Sequence, residues 1–154
     1  LVCRLLLEKR LVTMLASRAP ELHVVDAVEF VRDTVLPRLT VARSSRSVVV
    51  HTTCSTERAG TSAALVDLAR AMSDDVLVPV AWGCCGFAGD RGLLHPELTA
   101  SATADEAAEV TRVAAERPAD TAYVSCNRTC EIGMTRATRQ PYRHVLELLA
   151  EAAS

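Results

Sequence analysis

Ser47-Val48-Val49-Val50-His51-Thr52-Thr53-Cys54 is the stretch on which the fold turns. Val48 to Val50 is a β-branched run without polar alternation, the pattern of a short strand covered on both faces. It gives way to polar residues and then to a cysteine. The same order returns twice downstream. Val76–Val80 reads as a second strand, ended by a glycine-rich loop that holds Cys84 and Cys85. Thr121–Ser125 reads as a third, with Cys126 directly behind it and Cys130 a little further on.

Helical patterns fill the intervals. Thr61–Met72 offers Ala63, Leu65, Val66, Leu68, Ala69 and Met72 for a buried side, and Glu97–Arg117 is rich in Ala, Glu and Val behind a starting Pro96. Tyr142–Ala153 closes the chain as a helix. Strand–helix–strand–helix order predicts parallel strands joined by right-handed crossovers. The expected class is therefore α/β: a Rossmann-like layered fold around a small parallel sheet, with cysteine sites at the strand carboxyl ends.

Upstream, residues 1–17 and 24–36 carry apolar residues at helical spacing, punctuated by Pro20 and Pro37. The polar segment Thr40–Ser47 is the natural boundary. Residues 1–40 form a helical lead and residues 41–154 the cysteine-bearing domain. The chain opens at Leu1 inside a helical pattern and reads as a piece of a longer protein.

Of 154 residues, 49% are hydrophobic and only 3% aromatic, so the core must be built from Val, Leu, Ile and Ala. A net charge of −2 leaves no electrostatic footprint for nucleic acid. The short Arg43 to Arg46 stretch reads as a solvated loop. No apolar run is long enough to span a membrane. Leu1–Leu7 contains Arg4 and lacks a small-residue cleavage site, which argues against a secretory signal. In the reducing compartment that follows, six cysteines point to metal or redox chemistry before structural disulfides.

Cys54, Cys84, Cys85, Cys126 and Cys130 all follow strands, and parallel strands share one carboxyl edge, where such folds bind ligands. Gly83, Gly86, Gly89 and Gly92 recur every third residue around the cysteine pair. Glycines there let the backbone turn tightly and approach a bound group, with N–H groups free to bond sulfur. Adjacent cysteines seldom bridge each other in an unstrained chain, which again favours metal. Iron and zinc both accept four thiolates, while buried inert thiols and a reactive Cys84 or Cys85 are the competing readings.

Other residues carry weaker signals. His51 reads equally as a satisfied core histidine or as a residue behind the cysteines. His95 reads as a loop or cap residue, His23 and His144 as surface positions, and Cys3 as core of an amphipathic helix. Asp90-Arg91 suits either a local ion pair or contact with a bound partner. Trp82 shields the cysteine pair or simply packs. Cys126 stays open: a tight turn over 127–129 makes it a ligand, whereas a straight strand sends it toward the core, the reading that alternation favours.

Gly-Cys-Cys-Gly-Phe-Ala-Gly-Asp-Arg-Gly (83–92) resembles the loop of the cysteine-rich "CCG" domain family, which includes a heterodisulfide reductase subunit and the glycolate oxidase iron–sulfur subunit. His-Thr-Thr-Cys (51–54), His-Pro-Glu-Leu-Thr-Ala-Ser-Ala-Thr (95–103) and Arg-Thr-Cys-Glu-Ile-Gly (128–133) resemble that family too, closest to the C-terminal part of FAD-linked iron–sulfur D-lactate dehydrogenases. The family motif is a lone Cys, then Cys-Cys-Gly, then Cys-x-x-Cys. It maps onto Cys54, Cys84, Cys85 and Cys130, but its remaining cysteine falls on Asn127, with Cys126 one residue earlier. Family members often carry two such repeats, so residues 1–40, with Cys3, resemble the tail of a truncated first one.

The resemblance implies an iron–sulfur cluster of the 4Fe-4S type, including the non-cubane form, held by Cys54, Cys84, Cys85 and Cys130 with Cys126 as the uncertain member. Zinc is the alternative. Gly83, Gly86, Gly89, Asp90 and Arg91 would line the bound group. The implied role is electron transfer within an FAD-dependent oxidoreductase that oxidises a 2-hydroxy acid such as D-lactate or glycolate and passes electrons to a quinone or another carrier. No Gly-x-Gly-x-x-Gly fingerprint occurs, so FAD would belong to the parent protein or a partner. The implied partners are flavin-binding and ferredoxin-type domains or subunits. A cytoplasmic location is expected, including a peripheral one at the inner face of the membrane. The rivals are a zinc-stapled structural domain and a thiol–disulfide redox module.

Overall fold

Strand β1, Ser47–Val50, is buried along its whole length at the centre of a parallel sheet. The computed structural model that shows this describes residues 13–153. Helices α2 (Cys54–Ala59) and α3 (Ser62–Met72) lead to strand β2, Asp75–Leu77. After the cysteine loop come α4 (Arg91–Leu94), α5 (Pro96–Ala102) and α6 (Ala104–Glu116), then strand β3, Ala122–Ser125. Helix α7 (Arg128–Thr138), strand β4 (Tyr142–His144) and α8 (Val145–Ala152) complete the chain. The sheet order is β2-β1-β3-β4, and every pairing is parallel. This is the Rossmann-like α/β layering that the strand and helix order predicts.

Alternation along β1 and β3 divides the core into two layers. Val48, Val50 and Val124 face one side and pack with Leu65, Leu68 and Met72 of α3 and with Val145 and Leu149 of α8. Val49 and Tyr123 face the other and meet Val110 of α6, Met134 of α7 and Tyr142. With helices on both faces the central strands have no wet side, so unbroken valine runs fit there. All four strands end at the same edge, because they are parallel. The arginine loop lies at the opposite edge, where Arg43 pairs with Asp74 at 2.9 Å among exposed side chains, a contact of small energetic weight.

Several boundaries differ from the sequence pattern, each for a local reason. The second strand stops at Leu77, since Pro79 cannot donate to the ladder, and Val80 beyond it is 90% exposed. Glu97–Arg117 is two helices, interrupted at Thr103, whose hydroxyl donates to the Thr99 carbonyl at 2.8 Å. The closing segment, expected to be helical throughout, begins instead with β4. Tyr-Arg-His shows no strand periodicity, and an edge position tolerates such residues on one face. In the lead, α1 (Ala27–Phe30) is capped by Asp26 and continues through a π-helical turn (Val31–Val35) and a 3₁₀ turn (Leu36–Arg38). Pro37 lacks the N–H that a regular α-helical ladder would use there. Val28, Val31 and Leu36 of this lead pack against the α3–α8 layer. The helical pattern over residues 1–12, and Cys3 with it, lies outside the described residues.

Candidate functional site

Three short structures present the cysteines at the carboxyl edge. Thr53 caps α2 through a capping box: its hydroxyl accepts from the Thr56 N–H at 3.1 Å, and the Thr56 hydroxyl accepts from the Thr53 N–H at 3.1 Å. Cys54 thereby stands at the first residue of that helix. Asn127 caps α7, its Oδ1 accepting from the Thr129 N–H at 3.2 Å and from the Thr129 hydroxyl at 2.8 Å. The position where the family motif has a cysteine thus holds the cap of the helix that carries Cys130.

The middle loop is tied down by helix α6. Glu109 accepts from the N–H groups of Val80 and Ala81 at 3.1 and 2.8 Å, and Glu106 accepts from that of Gly83 at 3.3 Å. Gly86 has a φ of +66°, and a Cβ there would stand 2.7 Å from the Ala102 Cβ and 3.0 Å from the Leu98 carbonyl oxygen. This glycine is therefore required by the close approach of α5. Gly83 has open space where its Cβ would stand, as has Gly89. Asp90 and Arg91 are both exposed, and among the described residues neither forms an ion pair, so the local salt bridge between them is absent.

Two of the sulfurs are in direct contact, and the others lie near them. Cys85 Sγ and Cys130 Sγ are 3.0 Å apart, and both residues are buried. The Cys130 thiol donates to Cys85, and with the Phe87 backbone N–H this holds the Cys85 thiol down at about 6 against the opposing effect of burial. Cys130 is displaced upward for the reciprocal reason, its proton being held in that bond, with burial adding to the effect. Cys54 is pushed up to about 11, first by burial and then by the neighbouring Cys84. Cys85 and Cys130 also lie within electrostatic reach of Cys54. Cys84 is exposed.

Cys126 takes an intermediate place. It packs against the α3–α8 layer of the core, while its sulfur lies 3.9 Å from the Thr53 hydroxyl and acts electrostatically on Cys130. The neighbouring His144 is not a surface residue. Its Nδ1 accepts from the Leu146 N–H at 3.2 Å, capping α8, and its Nε2–H donates to the Cys126 carbonyl at 3.1 Å.

Four thiols from three chain segments are a suitable donor set for iron–sulfur chemistry or zinc. The Cys85–Cys130 spacing is closer than a bound metal requires. Two thiolates on one tetrahedral zinc stand roughly 3.8 Å apart, so Cys85 and Cys130 must separate to admit an ion or a cluster. Among the described residues, no three His, Cys, Asp or Glu side chains are already grouped around a single ion position.

Glu106 is the residue that the sequence pattern missed. It is 2% exposed and lies 2.8 Å from Nδ1 of His51, which is wholly buried. A carboxylate at the buried end of the Ala107–Val110–Val113 stripe was the available signal. Tyr142 sets its ring edge-on to His51, with centroids 6.5 Å apart. Glu131, next to Cys130, is also buried, and burial pushes its carboxyl up despite Arg128 at 2.7 Å. Trp82 remains exposed, so it shields the cysteine pair at most in part.

No family model, curated protein or solved structure matches this chain.

Proposed function

We propose that this chain is the iron–sulfur electron-transfer module of an FAD-linked 2-hydroxy-acid dehydrogenase, of D-lactate or glycolate type, built on a cysteine-rich CCG domain. The observation that carries the reading is the meeting of four free cysteines from three strand exits at one sheet edge. The loop and tail motifs at 83–92 and 128–133, which resemble that family, support iron over an unreactive thiol cluster. Cys54, Cys84, Cys85 and Cys130 would hold the cluster, which supplies one-electron transfer between flavin and a quinone or other carrier. The chain's own part is to hold the thiolates, donate the Phe87 N–H to Cys85 and keep water from the buried pair.

Exposed apolar side chains in the cysteine loop and on the two helices after it suit a partner. Val80 and Trp82 in the loop, and Leu93, Leu94 and Leu98 on α4 and α5, are exposed. Such side chains fit docking of a flavin-binding or ferredoxin-type domain, with the exposed Cys84 two residues from Trp82. FAD would enter with that partner. No helix among the described residues is long and apolar enough to cross a membrane; the working location is the cytoplasm, or the inner membrane face by peripheral contact.

One observation favours a second reading. A 3.0 Å sulfur pair with one thiol held down at about 6 also suits thiol–disulfide exchange. Iron, acid-labile sulfide and zinc analysis of anaerobically purified protein, with its visible absorption, separates the possibilities. Iron with sulfide and a band bleached by reductant supports the cluster. Colourless protein with stoichiometric zinc means a stapled structural domain, and metal-free protein that reversibly gives up two thiols means exchange chemistry.

A further inference from the structure

His51 is fixed on every side but one. Its backbone N–H donates to the Val124 carbonyl at 2.9 Å, and its own carbonyl accepts from the Ser125 hydroxyl at 3.1 Å. The Glu106 carboxylate, which can only accept, takes the Nδ1 hydrogen with oxygens at 2.8 and 3.0 Å. Nε2 is buried and has no hydrogen-bond partner among the described residues. The Tyr142 ring is too distant for an N–H bond to its face, and its hydroxyl is also unpartnered. Buried polar atoms are seldom left unmatched without a functional reason.

The surroundings tie the ring to the cysteine loop. Glu106 binds Gly83, so the same carboxylate that holds the imidazole also holds the start of the cysteine loop. The ring also lies within electrostatic reach of the Cys85 sulfur. Among the described residues no arginine or lysine pairs with Glu106, which leaves His51 as its one side-chain partner. A ring that gives its Nδ1–H to the carboxylate and its Nε2–H to an anionic sulfur satisfies all three groups at once.

We propose that His51 is a positioning residue of the cysteine site, held by Glu106 through Nδ1 so that its Nε2–H is given to the anionic sulfur presented by Cys85 and the group bound with it. The proposal rests on the cysteine site being functional, and in its redox form on that site holding a cluster. A hydrogen bond to sulfur stabilises the electron-rich reduced state, so His51 would set the reduction potential without being a ligand.

The test compares His51→Leu, His51→Gln and Glu106→Gln with the unaltered chain, after circular dichroism has established that each is folded. Iron content should be unchanged, and the midpoint potential should fall in His51→Leu and recover substantially in His51→Gln, which keeps a donor near the Nε2 position. Glu106→Gln should fall between them. An unaltered potential in folded, iron-loaded His51→Leu overturns the proposal, and iron loss equal to that of Cys130→Ser makes His51 a ligand instead. If the unaltered chain binds no iron, the cluster reading fails by itself. The proposal is then read from iodoacetamide alkylation of the reduced protein, located by peptide mass. His51→Leu should slow modification of Cys85 severalfold relative to Cys54, and equal rates overturn it.

Discussion

Cys85 Sγ and Cys130 Sγ stand 3.0 Å apart across 45 residues of chain, one sulfur carried by a loop and the other by the first turn of a helix. Three features make the contact. Asn127 starts α7 where it does, Gly86 lets the loop pass beneath α5, and the parallel sheet delivers both segments to one edge.

The shared proton of this pair gives the reduced protein a pH-dependent stability. Cys85 is held down at about 6 from an ordinary 9.0, so between those values the folded chain binds fewer protons than the unfolded one and stability rises with pH. Above the ordinary thiol value the sign reverses, because Cys54, pushed up to about 11, and Cys130 keep protons that the unfolded chain loses. Urea midpoints of reduced protein should therefore peak near the ordinary thiol pKa. Cys85→Ser should remove the rising limb, and a midpoint that stays flat from acid to alkaline pH would refute the pairing.

The cysteines should separate into classes by iron retention. Cys54→Ser, Cys84→Ser, Cys85→Ser and Cys130→Ser should each lose the cluster, since each removes a thiolate. Cys3→Ser should keep it. Cys126→Ala should also keep it, at a cost of about 1 kcal/mol for packing lost against the α3–α8 layer. Equal iron loss in Cys126→Ala and Cys130→Ala would make Cys126 a ligand.

Asn127→Ala should cost about 1 kcal/mol through loss of the α7 cap, with iron content retained. Chemical denaturation and iron analysis of the same sample check both halves. Retained stability with lost iron would give Asn127 the ligand role that its place in the motif suggests.

The glycines should not be equivalent. Gly86→Ala combines a left-handed backbone with contacts at 2.7 and 3.0 Å and should destabilise by at least about 2 kcal/mol. Gly89→Ala has the strained φ but open space, so about 1 kcal/mol is expected, and Gly83→Ala should be nearly neutral. Thermal unfolding of the three variants gives the order directly, and a Gly86→Ala protein as stable as Gly83→Ala would mean that α5 does not press on the loop.

Much of this arrangement is readable from local pattern. Val48 to Val50 and Thr121 to Ser125 declare buried strands because β-branched and apolar side chains suit positions covered on both faces, and Ser62–Met72 declares its helix by spacing. Once the strands are parallel, cysteines placed just after them must share an edge. β4 is hidden because Tyr142, Arg143 and His144 pair only by lying beside β3, and the break at Thr103 because it depends on one hydroxyl.

Periodicity and element order are enough to specify the parallel α/β class and the gathering of cysteines at one edge. They do not specify which sulfur touches which, that α5 demands a glycine at position 86, or that Glu106 grips His51 from 55 residues away. Those are contacts between segments remote in the chain. Their geometry depends on how α5, α6 and α7 pack on the sheet, and no local pattern carries that information.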